Sequence, residues 1–226
     1  MSKQTFSRKL IVTEDGSHTL YIPELNEHYH SIHGAVQESN HIFIKAGFQC
    51  FSNISSINIL EIGLGTGLNA FLTCVEAKNK NIAVNYTSIE KYPITIDEIN
   101  ELNYVQEVDV EEKEYFRKIH TVEWETFQEI TVNFRLRKVK TDIREFTSER
   151  QFDLVYFDAF GPDIQPQLWT ADVFKQMFSC MSKAAVLVTY SAKGQVRRNM
   201  QAAGFIVERI PGPPGKREML RASVPD

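Results

Sequence analysis

A short loop with glycine at every second position, Gly63, Gly65 and Gly67, separates an apolar run over residues 57–62 from a helical pattern over residues 68–77. Glycine lets the backbone turn tightly and approach a ligand closely, so loops of this kind bind many nucleotide-type ligands. By itself the motif is a weak signal. The alternative interpretation is a tight turn whose neighbouring carboxylates only cap helices.

Two carboxylates narrow the identity of the ligand. Glu61 stands just before the loop, where its charge suits the ammonium of a methionine moiety and would repel a dinucleotide pyrophosphate. Glu90 ends the next apolar run, residues 84–89, and can accept hydrogen bonds from both ribose hydroxyls. The G-x-G-x-G spacing also differs from the G-x-G-x-x-G of dinucleotide enzymes. The pattern predicts S-adenosylmethionine (SAM) as cofactor and disfavours the alternative of an NAD-dependent oxidoreductase.

Asp142 and Ile143, in the string Lys140-Thr141-Asp142-Ile143-Arg144, are the predicted adenine contacts. A carboxylate in such a loop can accept a hydrogen bond from the adenine amino group, while isoleucine packs on the ring. The alternative is that Asp142 caps the N-terminus of a short helix, a position that aspartate favours. The sequence leaves both interpretations open.

Asp158 follows the most apolar run of the chain, residues 152–157, in the string Asp158-Ala159-Phe160-Gly161-Pro162. Ligands of open parallel sheets bind at the carboxyl ends of the strands. We therefore expect Asp158 to lie beside the transferring methyl and to act as a general base or as a holder of an amine. Trp169 is predicted to form a wall of the substrate pocket; the alternative is a core aromatic that opens a helix.

Strand-like and helical patterns alternate along the rest of the chain, which predicts an α/β fold with a parallel sheet. Residues 205–208 and 218–222 flank a short turn and should pair antiparallel. The prediction is a Rossmann-like class I SAM-dependent methyltransferase with seven mostly parallel strands and helices on both faces. Residues 9–12 and 19–22 flank an Asp-Gly turn and predict a β-hairpin. We expect an N-terminal extension at 1–50, with this hairpin and a helix, and the methyltransferase domain at 51–226.

The composition indicates a soluble cytoplasmic protein without a membrane span, export signal or metal site. The four histidines His28, His30, His33 and His41 have no carboxylate at clear ligand spacing, so a loop over the cofactor pocket is favoured over a metal site. The net charge is −4, yet residues 183–226 hold 8 basic and 3 acidic residues. This basic segment suits a polyanion, and the alternative is an ordinary solvated surface.

Several separate strings, in order along most of the chain, resemble one family, the methyltransferase half of the bacterial bifunctional MnmC enzymes. The matching strings include Tyr29-His30-Ser31, residues 61–69, Glu90-Lys91-Tyr92-Pro93, residues 158–162, residues 189–194 and residues 215–220. The strings around Thr189-Tyr190-Ser191 and Lys216-Arg217-Glu218 are more specific than the glycine loop. Those enzymes carry a second, FAD-dependent oxidase domain for which this chain, ending at residue 226, has no room. The resemblance therefore implies the stand-alone form of the methyltransferase.

The resemblance implies that SAM methylates the exocyclic amine of 5-aminomethyl-(2-thio)uridine at the tRNA wobble position, with Asp158 beside the amine. The anticodon loop would be the partner, and a separate enzyme would supply the aminomethyl precursor. The predicted cofactor contacts are Glu61, Gly63, Gly65, Thr66, Gly67, Asn69, Glu90, Lys91, Asp142, Ile143 and Asp158. The predicted substrate contacts are Phe160, Trp169, Tyr190, Ser191, Lys193, Arg197, Arg198, Lys216 and Arg217. Among them, the resemblance implies Tyr190 and Ser191 as pocket residues, and the basic residues are the candidates for phosphate contacts.

Three other functions stay open at this level. A SAM-type methyl- or aminopropyltransferase acting on a small-molecule amine would share the fold and the carboxylates but would need no basic outer face. An NAD-dependent oxidoreductase is disfavoured by Glu61. A non-catalytic binding module is disfavoured by the intact loop and by Asp158.

Overall fold

A computed structural model describes residues 6–51, 53–149 and 151–225 of the chain. The N-terminal part forms a three-stranded antiparallel sheet of β1 (Lys9–Val12), β2 (His18–Ile22) and β3 (Glu27–His28). The predicted hairpin is confirmed, with Leu10 opposite Leu20. Its turn contains Gly16 at φ 87°, a backbone conformation that glycine adopts without steric cost.

The helix predicted in the N-terminal extension is confirmed, although it is not one regular helix. It begins as α1 (Ala35–Ser39) and continues as a π-helix (Asn40–Lys45). A 3₁₀ turn (Phe48–Phe51) follows. The aromatic ring of Phe43, in the π-helix, packs 5.1 Å from that of Tyr156 in the central sheet. Side chains from both sides of the predicted boundary between residues 50 and 51 pack in one hydrophobic core. The division of the chain at this boundary therefore stays a prediction.

The central sheet has eight strands in the described residues, where the sequence pattern predicts seven. They are β4 (Ser56–Ile62), β5 (Ala83–Ile89), β6 (Gln128–Thr131), β7 (Phe134–Val139), β8 (Phe152–Phe157), β9 (Met181–Thr189), β10 (Ile206–Pro211) and β11 (Glu218–Ser223). Their order is β10-β11-β9-β8-β4-β5-β7-β6. Neighbours from β9 to β7 are parallel, whereas β11 pairs antiparallel with β9 and β10, as predicted for the last two strands.

The β6–β7 hairpin is the part of the sheet that the pattern misses. Arg135, Arg137 and Lys138 interrupt the apolar residues of β7 and hide the strand signal. The ammonium of Lys138 is nevertheless buried, because it donates to the His120 carbonyl at 2.7 Å and lies 4.9 Å from the ring centroid of Trp124.

Helices cover both faces of the sheet, as predicted. They are α2 (Leu68–Lys80), α3 (Ile96–Asn100), α4 (Tyr104–Val108), α5 (Lys113–Thr121), α6 (Ala171–Ser179) and α7 (Gly194–Ala202). Single 3₁₀ turns add Val110–Glu112, Ile143–Glu145 and Pro166–Leu168. One apolar cluster packs the face of α2, α4 and α5, and a second packs the face of α6 and α7. In the described parts of the chain, no helix combines the length and the apolar character that a bilayer span requires.

Candidate active site

A cavity of about 860 Å³ opens at the carboxyl ends of β4, β5, β8 and β9. This is where ligands of doubly wound sheets bind, and the volume suits a cofactor together with part of a substrate. The N-terminal segment around Tyr29 and His30 covers it from one side, and the turn between β10 and β11 borders it from another. The fold therefore brings residues from at least seven separate stretches of chain to one cavity.

The glycine loop forms one wall of the cavity, and all three of its glycines have positive φ angles. Gly63 has φ 93°, and a Cβ atom there would lie 2.8 Å from the carbonyl oxygen of Asp158. Gly65 has φ 50°, and a Cβ atom there would lie 3.0 Å from the ring of Tyr29. Gly63, Gly65 and Thr66 line the cavity, while Gly67 starts α2 and is not among the described residues that line it.

Glu90 lies at the end of β5 on the cavity wall, as predicted for a ribose acceptor. Its carboxylate accepts hydrogen bonds from the backbone N–H of Gly65, at 3.0 Å, and of Tyr92, at 2.6 Å. These bonds connect the glycine loop to Glu90 and fix the orientation of the Glu90 carboxylate. Lys91 also lines the cavity. Contact between Glu90 and a ribose stays a prediction with a suitable geometry.

Asp142 lines the cavity beside Ile143, but its carboxylate already has several partners. It accepts from the backbone N–H and guanidinium of Arg144 and from Lys91 Nζ at 2.8 Å. The Arg144 hydrogen bonds, with a contribution from Lys91, hold the pKa of Asp142 well below its usual range. Asp142 is thus the N-cap of the 3₁₀ turn Ile143–Glu145, which is the alternative interpretation of this residue. An additional contact to adenine stays a prediction.

Asp158 occupies the cavity wall at the end of β8, as predicted. Its Oδ2 accepts a hydrogen bond from Asn69 Nδ2 at 2.8 Å, and its backbone N–H donates to Ile62 O at 3.0 Å. Burial, aided by the charge of Glu38, raises the pKa of Asp158 to about 7, although the Asn69 hydrogen bond and the charge of Lys216 oppose the shift. A carboxyl that titrates near neutrality can both hold and accept a proton.

Glu61 lies beneath Asp158 and is fully buried; it is not among the described residues that line the cavity. It accepts from Ser88 Oγ at 2.6 Å, and burial raises its pKa to about 8. The atoms Glu61 Oε1, Asn69 Oδ1 and Tyr86 OH have no hydrogen-bond partner. A direct contact between Glu61 and a methionine ammonium stays a prediction, and burial of the carboxyl favours an indirect role. Asn69 orients Asp158 through its side-chain amide, and its predicted contact with the cofactor stays a prediction.

The N-terminal segment holds a set of cavity residues that the sequence pattern does not assign. His30 Nε2 lies 2.8 Å from Thr66 Oγ1, and Tyr29 packs edge-on against Phe160 at 5.1 Å between centroids. Arg8 holds the N-terminal segment against the rest of the cavity wall, because its guanidinium donates to Tyr29 OH at 2.9 Å and to the Tyr92 carbonyl at 3.0 Å. The string Tyr29-His30-Ser31 is the signal that could have located it. The predicted loop over the pocket is present, and no group of three potential metal ligands occurs among the described residues.

The predicted substrate residues divide into two groups. Phe160, Tyr190, Ser191, Lys193, Lys216 and Arg217 line the cavity. Arg197 and Arg198 lie on α7, away from the cavity lining of the described chain. Contacts of Arg197 and Arg198 with phosphates stay predictions, and such contacts would lie on a surface beside the cavity. Lys193 at the cavity mouth forms an ion pair with Asp163.

Trp169 is a core residue rather than a wall of the pocket, which corrects that prediction. Its side chain is 2% exposed and packs against Phe157 and Phe174. The indole N–H donates to the carbonyl of Phe160 at 2.8 Å. The 3₁₀ turn Pro166–Leu168 directs the ring into the sheet–helix interface, where burial of the large apolar surface is favourable. Trp169 therefore supports the loop after Asp158 from below.

Comparison with known proteins identifies the family. A model of the family described as S-adenosyl-L-methionine-dependent methyltransferase matches residues 103–225, more than half of the chain. The chain belongs to this family. Methyl transfer from SAM is accordingly its chemistry, and the alternative of an NAD-dependent oxidoreductase is wrong.

Two curated relatives of this methyltransferase are tRNA 5-methylaminomethyl-2-thiouridine biosynthesis bifunctional proteins MnmC. The protein of Hydrogenovibrio crunogenus is 30% identical over 206 residues, which cover 84% of this chain and 30% of the relative. That of Cupriavidus metallidurans is 28% identical over 228 residues, covering 94% of this chain and 33% of the relative. The methyltransferase thus spans about a third of the length of these relatives.

Solved structures confirm the predicted fold class. The crystal structure of MNMC2 from Aquifex aeolicus superposes with a TM-score of 0.76 at 25% identity, covering 100% of this chain and 74% of the other. Spermidine synthase from Thermotoga maritima gives a TM-score of 0.55 at 11% identity, covering 99% of this chain and 70% of the other. The second likeness shows the shared fold alone.

The residues of the cavity fit SAM. The glycine loop leaves room for a backbone–ligand approach that a Cβ atom at Gly63 or Gly65 would block. On the cavity wall, Glu90 offers a fixed carboxylate and Ile143 an apolar surface. When bound, SAM supplies a methyl group activated by its positive sulfonium.

Proposed function

We propose that this methyltransferase converts 5-aminomethyl-(2-thio)uridine at the tRNA wobble position into the 5-methylaminomethyl form. The nucleoside is inferred from the MnmC relatives, which are named for biosynthesis of this product. Amine methylation is supported by one observation on this chain, the half-buried carboxyl of Asp158 on the cavity wall, whose pKa is raised to about 7. A carboxyl that titrates near neutrality matches the need to hold an ammonium and then take its proton.

In the proposed reaction Asp158 binds the incoming ammonium and accepts one proton from it, which frees the nitrogen lone pair. The nitrogen then forms a bond to the methyl carbon as the carbon–sulfur bond breaks. Asn69 keeps the carboxylate in one orientation through its 2.8 Å hydrogen bond. Orientation and proton transfer are the contributions that the protein itself makes to the rate.

The anticodon loop is the proposed binding partner. Lys91, Arg144, Lys193 and Arg217 lie around the cavity and are suitably placed for phosphates. A wobble base must leave its stack to reach Asp158, which costs less in a loop than in a duplex. We infer that the reaction takes place in the cytoplasm and that a separate enzyme supplies the aminomethyl group.

The test is nucleoside mass spectrometry of undermodified tRNA after incubation with SAM and wild-type protein or Asp158→Asn. We expect the wild type to add one methyl group to the aminomethyl nucleoside. The variant should bind SAM normally and turn over about 10²- to 10⁴-fold more slowly. Methylation of small amines without methylation of tRNA would support the small-molecule alternative and contradict the tRNA proposal. Near-wild-type turnover of the variant would remove Asp158 from the chemistry.

A further inference from the structure

An ion pair joins two distant parts of the chain beside Asp158. Lys216 lies in the turn between β10 and β11, and Glu38 lies in α1, so 178 residues separate them. Lys216 Nζ is 2.8 Å from Glu38 Oε1, while Glu38 Oε2 accepts the backbone N–H of Ser31 at 2.8 Å. Both side chains line the cavity, and Glu38 is buried.

The backbone around Lys216 is shaped for this contact. Gly215 has φ 82°, and a Cβ atom there would lie 2.4 Å from the ring of His33 in the N-terminal segment. The turn can therefore approach that segment only with glycine at this position. Lys216 Nζ also lies 4.5 Å from the ring centroid of Tyr190, and Tyr190 OH donates to the Ala159 carbonyl at 2.8 Å. The pair thus borders the loop that carries Asp158.

The two charges of the pair act on Asp158 in opposite directions. Glu38 raises the pKa of Asp158, and Lys216 lowers it. The other groups that face Asp158 come from β4, β5, α2 and the end of β9: Glu61, Tyr86, Asn69 and Tyr190. With Asp158 ionised, the pair leaves this end of the cavity with one net negative charge from Asp158, Glu38 and Lys216.

We propose that Glu38 and Lys216 are positioning residues for methyl transfer. Their ion pair sets the charge around Asp158, so that the part of the cavity beside Asp158 binds an amine with a single positive charge. The choice of amine rests on the proposed function. The pair also gives Lys216 a role inside the cavity, where the sequence pattern predicts a phosphate contact. An uncompensated Glu38 would add a second negative charge and favour protonation of Asp158, which would then no longer accept a proton from substrate.

The experiment compares wild type with Glu38→Gln, Lys216→Met and the double variant, which are matched in size. The Asp158 carboxyl is followed by ¹³C NMR over a pH series in protein with labelled aspartate, without tRNA, and assigned with Asp158→Asn. Lys216→Met should move the titration midpoint up by about one unit, and Glu38→Gln should move it down by a similar amount, as nearby charges do. The double variant should return close to wild type. Because Glu61 is coupled to Asp158, the midpoint belongs to the pair of carboxyls.

The acid limb of the pH–rate profile should shift in the same directions, with about a tenfold change in rate for each unit on that limb. Lys216→Arg keeps the charge and should keep the wild-type midpoint. Lys175→Met removes an exposed ion pair with Asp172 on α6 and serves as the control that leaves the titration unchanged. Intact SAM binding shows that each variant is folded.

Single variants that shift the midpoint in the same direction, or not at all, would overturn the proposal. A double variant that differs from wild type as much as the singles do would overturn it too. Opposite NMR shifts in a protein that does not methylate tRNA would support the role of the pair and contradict only the proposed substrate.

Discussion

Replacing Asp158 with asparagine should make the protein more stable at pH 8 even though it removes the proposed base. Burial raises the pKa of Asp158 from 3.8 to about 7. The folded state therefore holds this proton more tightly than the unfolded chain does, and stability falls as the pH rises from about 4 to 7. Asparagine has no such titration, and its amide oxygen can still accept the hydrogen bond from Asn69.

The size of the effect follows from the shift. A change of roughly three pKa units corresponds to about 4 kcal/mol above pH 7, at about 1.4 kcal/mol per unit. Part of the loss of stability caused by ionised Asp158 is already present at pH 5. The stability gained through Asp158→Asn should therefore be about 2–3 kcal/mol larger at pH 8 than at pH 5.

Urea denaturation of wild type and Asp158→Asn at pH 5 and pH 8 measures the free energy of unfolding directly. Asp172→Asn is the matched control, since this carboxyl is exposed on α6 and pairs only weakly with Lys175, at 3.6 Å. The control should change the free energy by less than about 0.5 kcal/mol at either pH. An equal gain at both pH values, or a loss at pH 8, would refute the view that Asp158 is held in a desolvated site.

Three further substitutions test other parts of the structure. Gly63→Ala places a Cβ atom 2.8 Å from the carbonyl oxygen of Asp158, so calorimetry should show SAM binding weakened at least about tenfold, with a strain of about 1–3 kcal/mol. Lys138→Met removes a buried ammonium, and burial lowers the pKa of this group from 10.5 to about 8. The resulting loss of stability is fully present below pH 8 and disappears toward pH 10.5. Denaturation of the variant at pH 7 should therefore show a gain of up to about 3 kcal/mol in the free energy of unfolding. Trp169→Ala should cost about 3–5 kcal/mol on unfolding, because Trp169 packs in the core. A destabilisation below about 1 kcal/mol would contradict that placement.

The alternation of strands and helices, with glycine and acidic residues at strand ends, is readable in the sequence because parallel strands end at one edge of the sheet. That rule correctly brings Gly63, Glu90 and Asp158 to one cavity. It misses β7, because the arginines and Lys138 of this strand give it the sequence pattern of a solvated segment. Only the structure shows that β7 pairs with β6 in a hairpin. It also misses Glu38, since an acid in a helical pattern carries no sign of a partner 178 residues away.

The sequence alone determined the α/β fold and the SAM cofactor, and it predicted that Asp158 lies on the cavity wall, because these depend on periodicity and on position at strand ends. The tertiary structure decided the direction of each side chain. It buried Glu61 beneath the cavity, turned Trp169 into the core, engaged Asp142 with Arg144 and paired Lys216 with Glu38. These outcomes depend on packing and on contacts between distant segments, which no local pattern of residues specifies.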